Sequence, residues 1–282
     1  LPSPMYSAAG IAGIFAHSYV GASCFIINFD PDLALQTLER ERITFTNLVP
    51  TTIQRLVFRE DLDRFDLSSL QTILYGGSPI PVTVLREARR KLPHVGFRQT
   101  FASTETGLKG TVLEPAEHDL ALSDPASEHL LLSCGRPQTN VQVAVWDADG
   151  NEVPPGTVGE IAVRSEGNIR GFWNQPKATA ESVVNGWVLT GDVARMDEQG
   201  YFYLVDRKKD VIVTGAFNVY PSEVERVIQM HPAVYEVAVI AVPSEQKGED
   251  IKACVVLKPG TVCSKQDIIS FCEGKKKKKK KP

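Results

Sequence analysis

An α/β fold is predicted for this chain: a helix-covered, mostly parallel sheet, then a β-barrel-like subdomain, then a small α+β domain. Three observations predict it. Between residues 30 and about 130, helix-period and strand-like segments alternate, the pattern of a parallel sheet covered by helices. From 131 to 205, short strands are separated by turns such as "DADGNE" and "MDEQG", which suits antiparallel or barrel-like pairing. After "DRKKD", strand and helix segments mix at short range.

The elements follow in order. Residues 8–29 are apolar enough to raise a membrane span, but His17, Asn28 and interspersed glycines favour a buried helix followed by a buried strand, "ASCFIIN". Asp30-Pro31 opens a helix, with Asp as cap and Pro in the first turn, and "LALQTLERER" continues it. Strand "ITFTNLV", helix "PTTIQRLVFRE", strand "LQTILY", helix "PVTVLREARRKL" and strand "VGFRQTF" come next, with "LKGTVL" as a further strand. The β region reads "VQVAVWD", "GEIAVRS", "GWVLTGDVARM" and "GYFYLVD". The last domain reads strand "VIV", helix "PSEVERVIQM", strands "VYEVAVIAV" and "IKACVVL", and helix "SKQDIISFC". Five charged residues in a row make "DRKKD" a linker. The expected domains are 1–205 (1–130 and 131–205 within it), 206–274, and a Lys-rich tail at 275–282.

Composition narrows the function classes. The 282 residues are 43% hydrophobic and 23% charged, with net charge −3, an ordinary globular balance. Seven of the 31 basic residues are the run Lys275 to Lys281; the other 24 face 34 acidic ones, a charge of −10. An acidic body argues against nucleic-acid binding. Five scattered cysteines without metal-ligand spacing read as buried free thiols in a reducing compartment. With no signal peptide or transmembrane segment visible, an intracellular, cytoplasmic protein is expected; the sequence specifies no oligomeric state. The five histidines form no cluster with Ser or Cys, so a hydrolase triad has no support.

Ligands of parallel sheets sit at the carboxyl ends of strands, and two suggestive stretches fall there. In "YGGSP", Gly76 and Gly77 permit close backbone approach. In "FASTETG", hydroxyls flank the lone carboxylate Glu105, a set that suits phosphate oxygens and a hard cation. Each can also be a plain turn, since Ser and Thr bond their own backbone. Asp192, after a glycine in "LTGDVA", could accept both hydroxyls of a ribose or be a solvated residue at a bulge.

Order and spacing carry more than any single stretch. "YGGSPIP", "FASTETG", "GRP", "GWVLTGD", "DRKKDVIVTGAFNVYPSEVE" and "HPAVYEVAVIAVP" together resemble the adenylate-forming superfamily of acyl-CoA synthetases, peptide-synthetase adenylation domains and luciferase. "FNVYPSEVE" is most similar to fatty-acid-type acyl-CoA ligases. The resemblance implies that Phe101 lies against adenine, Thr104 contacts phosphate and Glu105 helps hold Mg²⁺. It implies that Asp192 and Arg207 bind the ribose, and that Gly76, Gly77 and Ser78 line the adenine and acyl wall. Lys209 falls at the hinge position of the small domain. The implied reaction joins a hydrophobic carboxylic acid to AMP from ATP, then passes the acyl group to CoA. The alternatives are a non-catalytic nucleotide- or acyl-binding protein and a module that loads a carrier protein.

The chain departs from the family pattern in places. The phosphate loop expected upstream and the catalytic lysine expected downstream are absent from these residues, so the sequence reads as a piece truncated at both ends and inactive by itself. Ala102 and Ala216 stand at usual glycines, and Ser7 stands where relatives often carry histidine. Lys280 and Pro282 are in register with a family "YKxP" segment.

Overall fold

The computed structural model describes residues 5–215, 217–244 and 246–278, with side chains through Glu273. Ala216, Lys280 and Pro282 lie outside the described residues, as do the side chains of the lysine run.

The first elements are α1 (Ala8–Tyr19), α2 (Pro31–Arg40), β1 (Phe45–Leu48), α3 (Pro50–Val57), β2 (Thr72–Gly76), α4 (Val82–Lys91), β3 (Gly96–Ala102), β4 (Gly110–Leu113), α5 (Pro115–Ser123) and β5 (Arg136–Pro137). Their strands form one sheet in sequence order, β1 to β5. The pairs β1–β2 and β2–β3 are parallel, whereas β4 runs antiparallel to both β3 and β5. Asp30 caps α2, its carboxylate accepting from the N–H groups of Asp32 and Leu33 at 3.0 Å each. Ser7 caps α1 in the same way, accepting from Gly10 N–H at 3.2 Å. In α4, Val84, Leu85 and Ala88 are buried while Arg86 and Arg90 face out, the apolar stripe expected of a helix laid on a sheet. These side chains join Leu35, Ile53, Leu70, Tyr75 and Phe97 in the main core.

The residues after α1 correct the expectation of a buried strand. The segment 22–28 is irregular, and Ile26 is 54% exposed. Its β-branched, apolar composition favours extension, but among the described residues it joins no strand ladder. The preceding helix is also less buried than expected, with Gly10 its buried residue and Phe15 and Tyr19 exposed. No helix among the described residues is long and apolar enough to cross a membrane.

A second sheet follows: β6 (Gln142–Trp146), β7 (Val158–Arg164), then α6 (Pro176–Ser182), β8 (Val183–Val184), β9 (Trp187–Met196) and β10 (Phe202–Arg207), in the order β10-β9-β7-β6 with β8 on β9. The last elements are β11 (Ile212–Thr214), β12 (Phe217–Val219), α7 (Pro221–Gln229), β13 (Val234–Ser244), β14 (Gly248–Leu257) and α8 (Lys265–Lys278). Their antiparallel sheet, β12-β11-β14-β13, has its own core of Ile212, Ile228, Val234 and Val239. The chain packs as two compact units, one of Leu1–Thr190 with Arg195–Tyr203, the other of Gly191–Ala194 with Leu204–Pro282.

The expectation of buried thiols holds for Cys134. Cys24, Cys263 and Cys272 are half-buried, and Cys254 is exposed.

Candidate nucleotide-binding loops

In the first unit, β2 and β3 bring "YGGSP" and "FASTETG" to the same end of the sheet, because their parallel register pairs Gly76 with Thr100. The backbones are so close there that a Cβ on Gly76 would stand 2.4 Å from the Thr100 carbonyl oxygen. Glycine is therefore required sterically at 76. At Gly77 the requirement is conformational: φ is +82° with open space around it, a region that side chains disfavour. Gly77 and Ser78 are both exposed beyond the strand end.

The turn after β3 divides its polar side chains between two tasks. Thr106 Oγ1 accepts from Ser103 N–H at 3.1 Å and donates to Ser103 C=O at 3.1 Å, while Ser103 Oγ accepts from Thr106 N–H at 3.3 Å. Thr106 is fully buried. Further backbone bonds from Gly107 to Thr104 C=O and from Leu108 to Ser103 C=O close the turn. The plain-turn reading thus accounts for Ser103 and Thr106. It leaves the exposed Thr104 hydroxyl and the half-buried Glu105 carboxylate without a side-chain hydrogen bond or ion pair among the described residues. The Glu105 backbone is nonetheless anchored, since its C=O accepts from Ile169 N–H at 2.8 Å. Gly107 lies with its Cβ position 2.3 Å from Gly167 C=O, so the turn rests directly on the 165–169 segment.

Phe101, on β3, is half-buried against a cluster of Cys134, Val145 and Phe202. One side of the ring is backed by this packing. Ala102, at a usual glycine position of the family, is accommodated as the last residue of β3, paired with Gly110 of β4.

In the second unit the structure joins the two residues expected at a ribose. Asp192 follows Gly191 at φ +73° on β9, and its Oδ1 accepts from Arg207 Nε at 2.8 Å. Asp192 is buried, 8% exposed, so the solvated-bulge reading does not describe it. Lys209 is exposed in a single 3₁₀ turn, Lys208–Asp210.

Two structural features escaped the sequence reading. Asp206, taken as part of a charged linker, accepts from Ser222 N–H at 2.9 Å through Oδ2, while the Ser222 hydroxyl donates to Val205 C=O. The carboxylate thus serves the first turn of α7, where unpaired N–H groups and the helix dipole favour an anion. The second feature is a buried network beside the loops. Tyr75 O–H lies 2.7 Å from His118 Nε2 and 3.1 Å from Gln99 Oε1, and His118 Nδ1 donates to Glu114 C=O at 2.9 Å. With Nδ1 carrying the proton, Nε2 and Gln99 Oε1 are both acceptors and share the single Tyr75 hydroxyl proton. Burial pushes the His118 pKa down and the Tyr75 pKa up. The spacing of Tyr75 before Gly76 and Gln99 before Phe101 was visible, but nothing in the sequence pointed to His118 as their partner.

A carboxylate with an anchored backbone and no cation partner among the described residues fits a Mg²⁺ ion that keeps most of its ligands as waters and substrate phosphates. Among the described residues no group of three His, Cys, Asp or Glu forms an all-protein metal cage, so the fit is to a metal arriving with phosphate.

Comparison with known proteins gives one family. Residues 1–173 match the AMP-binding enzyme model, and residues 223–282 match the AMP-binding enzyme C-terminal domain. A medium/long-chain-fatty-acid–CoA ligase of Mycobacterium tuberculosis is 42% identical over 238 residues, 84% of this chain and 40% of the relative. A fatty acid–[acyl-carrier-protein] ligase of Streptomyces coeruleorubidus is 37% identical, covering 81% of this chain and 43% of the relative. Among solved structures, the O-succinylbenzoate coenzyme A synthetase of Bacillus subtilis in complex with ATP and magnesium ion superposes with a TM-score of 0.83 at 27% identity, over 97% of this chain and 54% of that one. The chain spans about half the length of these relatives. The matched segments include both turns and, of the small domain, β13, β14 and most of α7, and the chain belongs to the AMP-binding, adenylate-forming enzyme family.

Proposed function

We propose that this chain carries the nucleotide-holding part of an ATP-dependent acyl-CoA ligase that activates a hydrophobic carboxylic acid. The carboxylate attacks the α-phosphorus of ATP, acyl-AMP forms and pyrophosphate leaves. The thiol of CoA then takes the acyl group and AMP departs. The observation that carries this reading is the division within residues 103–106: two hydroxyls build the turn, while Thr104 and Glu105 are held in place and left for a ligand.

Each residue has a physical task. The Thr104 hydroxyl donates to a phosphate oxygen, and the Glu105 carboxylate holds Mg²⁺. That ion supplies charge neutralisation at the phosphates. Phe101, backed by Phe202 and Val145, offers a ring to adenine. Asp192 accepts from ribose hydroxyls and Arg207 orients it. Gly77 and Ser78 form backbone wall rather than chemistry. We assign the hinge to Lys209 in its exposed turn, with the small domain running from residue 206 to 274. CoA is the favoured thiol on the 42% identity to a CoA ligase; the carrier-protein ligase relative keeps a carrier thiol as the second reading.

Calorimetry with AMP and with Mg-ATP on the 282-residue chain tests this. Thr104→Val should weaken binding about fivefold, the worth of one hydrogen bond of about 1 kcal/mol, without moving the thermal midpoint. Ser103→Ala should do the reverse, lowering the midpoint. Glu105→Gln should abolish the gain in ATP affinity on adding Mg²⁺. Equal AMP affinity in Thr104→Val and wild type would remove Thr104 from the site.

A further inference from the structure

Outside these loops the second unit pairs a thiol with an imidazole. Cys263 lies two residues before the start of α8, and its Sγ lies 3.9 Å from His231 Nε2. The histidine is held in one tautomer. Its Nδ1 accepts from Ala233 N–H at 3.2 Å, so Nδ1 carries no proton and the neutral ring must carry it on Nε2, facing the sulfur. The ring is steadied by Phe271, edge-on with centroids 5.0 Å apart. The Cys263 loop is in turn tied to the residues after His231, because Thr261 Oγ1 donates to Ala233 C=O at 3.3 Å and Lys258 N–H donates to the same carbonyl at 2.9 Å. Thiol and ring are therefore held together from both sides.

We propose that Cys263 is a site of reversible thiolation by a low-molecular-mass disulfide. The His231 N–H facing the sulfur gives an incoming reaction at Cys263 a hydrogen-bond donor for the sulfur, the nucleophilic atom. Helix α8 begins two residues on, which places the positive end of its dipole nearby. The opposing charge is Asp267 of α8. Its carboxylate is turned to the helix cap, accepting from Ser264 N–H at 2.8 Å and Ser264 Oγ at 2.7 Å, and these bonds hold its pKa below the usual carboxylate range. The thiol form has its own acceptor in Ser264 C=O, 3.7 Å away. In the reaction the Cys263 proton goes to solvent and the thiolate attacks one sulfur of the disulfide. A mixed disulfide forms and the other half leaves as thiolate, so the disulfide itself is the oxidant.

The chain carries an internal control. Cys254 on β14 is more exposed than Cys263 and has no imidazole beside it among the described residues, so access alone would make it the faster thiol. The test treats the intact chain with oxidised glutathione at pH 7 and follows each cysteine peptide by mass spectrometry, with the same measurement in urea as reference. Cys263 should be thiolated at least about threefold faster than Cys254 in the folded chain, with the difference lost in urea. His231→Gln should bring Cys263 down to the Cys254 rate while Cys254 is unchanged, which also reports that the sheet remains folded. Faster reaction at Cys254 in the wild-type chain would overturn the proposal, as would a Cys263 rate unaffected by His231→Gln.

Discussion

Arg207 donates its Nε–H to Oδ1 of Asp192 over 2.8 Å, and the two side chains differ sharply in exposure, 57% for the arginine and 11% for the aspartate. The carboxylate is the protected member and the guanidinium its outer support.

That asymmetry ranks two variants. Asp192→Asn should lower AMP affinity about tenfold or more, since hydrogen bonds to a charged group are worth about 1.5–3 kcal/mol. Arg207→Gln should cost less, because a half-exposed ion pair contributes about 1 kcal/mol or below. Calorimetry on both variants checks the order. A larger loss from Arg207→Gln would mean that the arginine, not the aspartate, holds the ribose.

The close approach of Gly76 to Thr100 predicts a contrast between adjacent glycines. Gly76→Ala places a methyl 2.4 Å from a backbone oxygen in a paired strand, so β2 and β3 must part. The expected loss is about 2–4 kcal/mol of unfolding free energy, from overpacking together with a damaged ladder. Gly77→Ala meets no atoms and suffers only its positive φ, about 1 kcal/mol. Urea titrations of the two variants measure the gap, and equal losses would contradict the steric account.

The buried His118 makes stability fall on acidification. Burial lowers its folded-state pKa, whereas in the unfolded chain it titrates near 6.5. Below that value the unfolded state binds the extra proton, so stability rises with pH through this window and is lost as pH falls through it. The slope from one proton is at most about 1.4 kcal/mol per pH unit. Urea midpoints between pH 5 and 8 should show this slope in the wild type and a shallower one in His118→Gln, whose amide oxygen can still accept from Tyr75. Parallel slopes would mean that His118 is not the titrating group.

How far the sequence could be read depended on whether a residue's task was local. Alternating patterns located β1, β2 and β3, and strand ends located the two turns, since periodicity and turn chemistry act over a few residues. Helix α5 was missed. Its signature was there, with Glu117 accepting from Glu114 N–H at 2.7 Å ahead of Pro115, but only His118 and Ala121 are buried in it, too few to make an apolar stripe. The segment 22–28 was misread because its composition favours a strand and composition does not supply a partner. Asp206 was read as solvated charge; its bond to Ser222 spans 16 residues, beyond any local rule. Thr104 and Glu105 could be singled out, but only the bonding of Ser103 to Thr106 separated the turn-building hydroxyls from the Thr104 hydroxyl.

The register of β2 on β3 also governs how freely the intervening chain can change. Tyr75 and Gln99 are 24 residues apart yet hydrogen-bonded side by side, so the spacing of the two turns is inherited from the sheet and not from the length of the chain between them. Helix α4 is held by its own core residues Val84, Leu85 and Ala88, so the adjustable part of the connection is the exposed tip of the turn after it. Lengthening the chain at the exposed Pro93–His94 tip, between the buried Leu92 and Val95, should leave Gly76 facing Thr100 and the geometry at the strand ends intact. The same change inside either strand shifts the ladder by one residue and turns every side chain beyond it to the opposite face. Tolerance to insertion should therefore be high along one connection and absent a few residues away, a boundary set by hydrogen bonds and not by distance from the nucleotide.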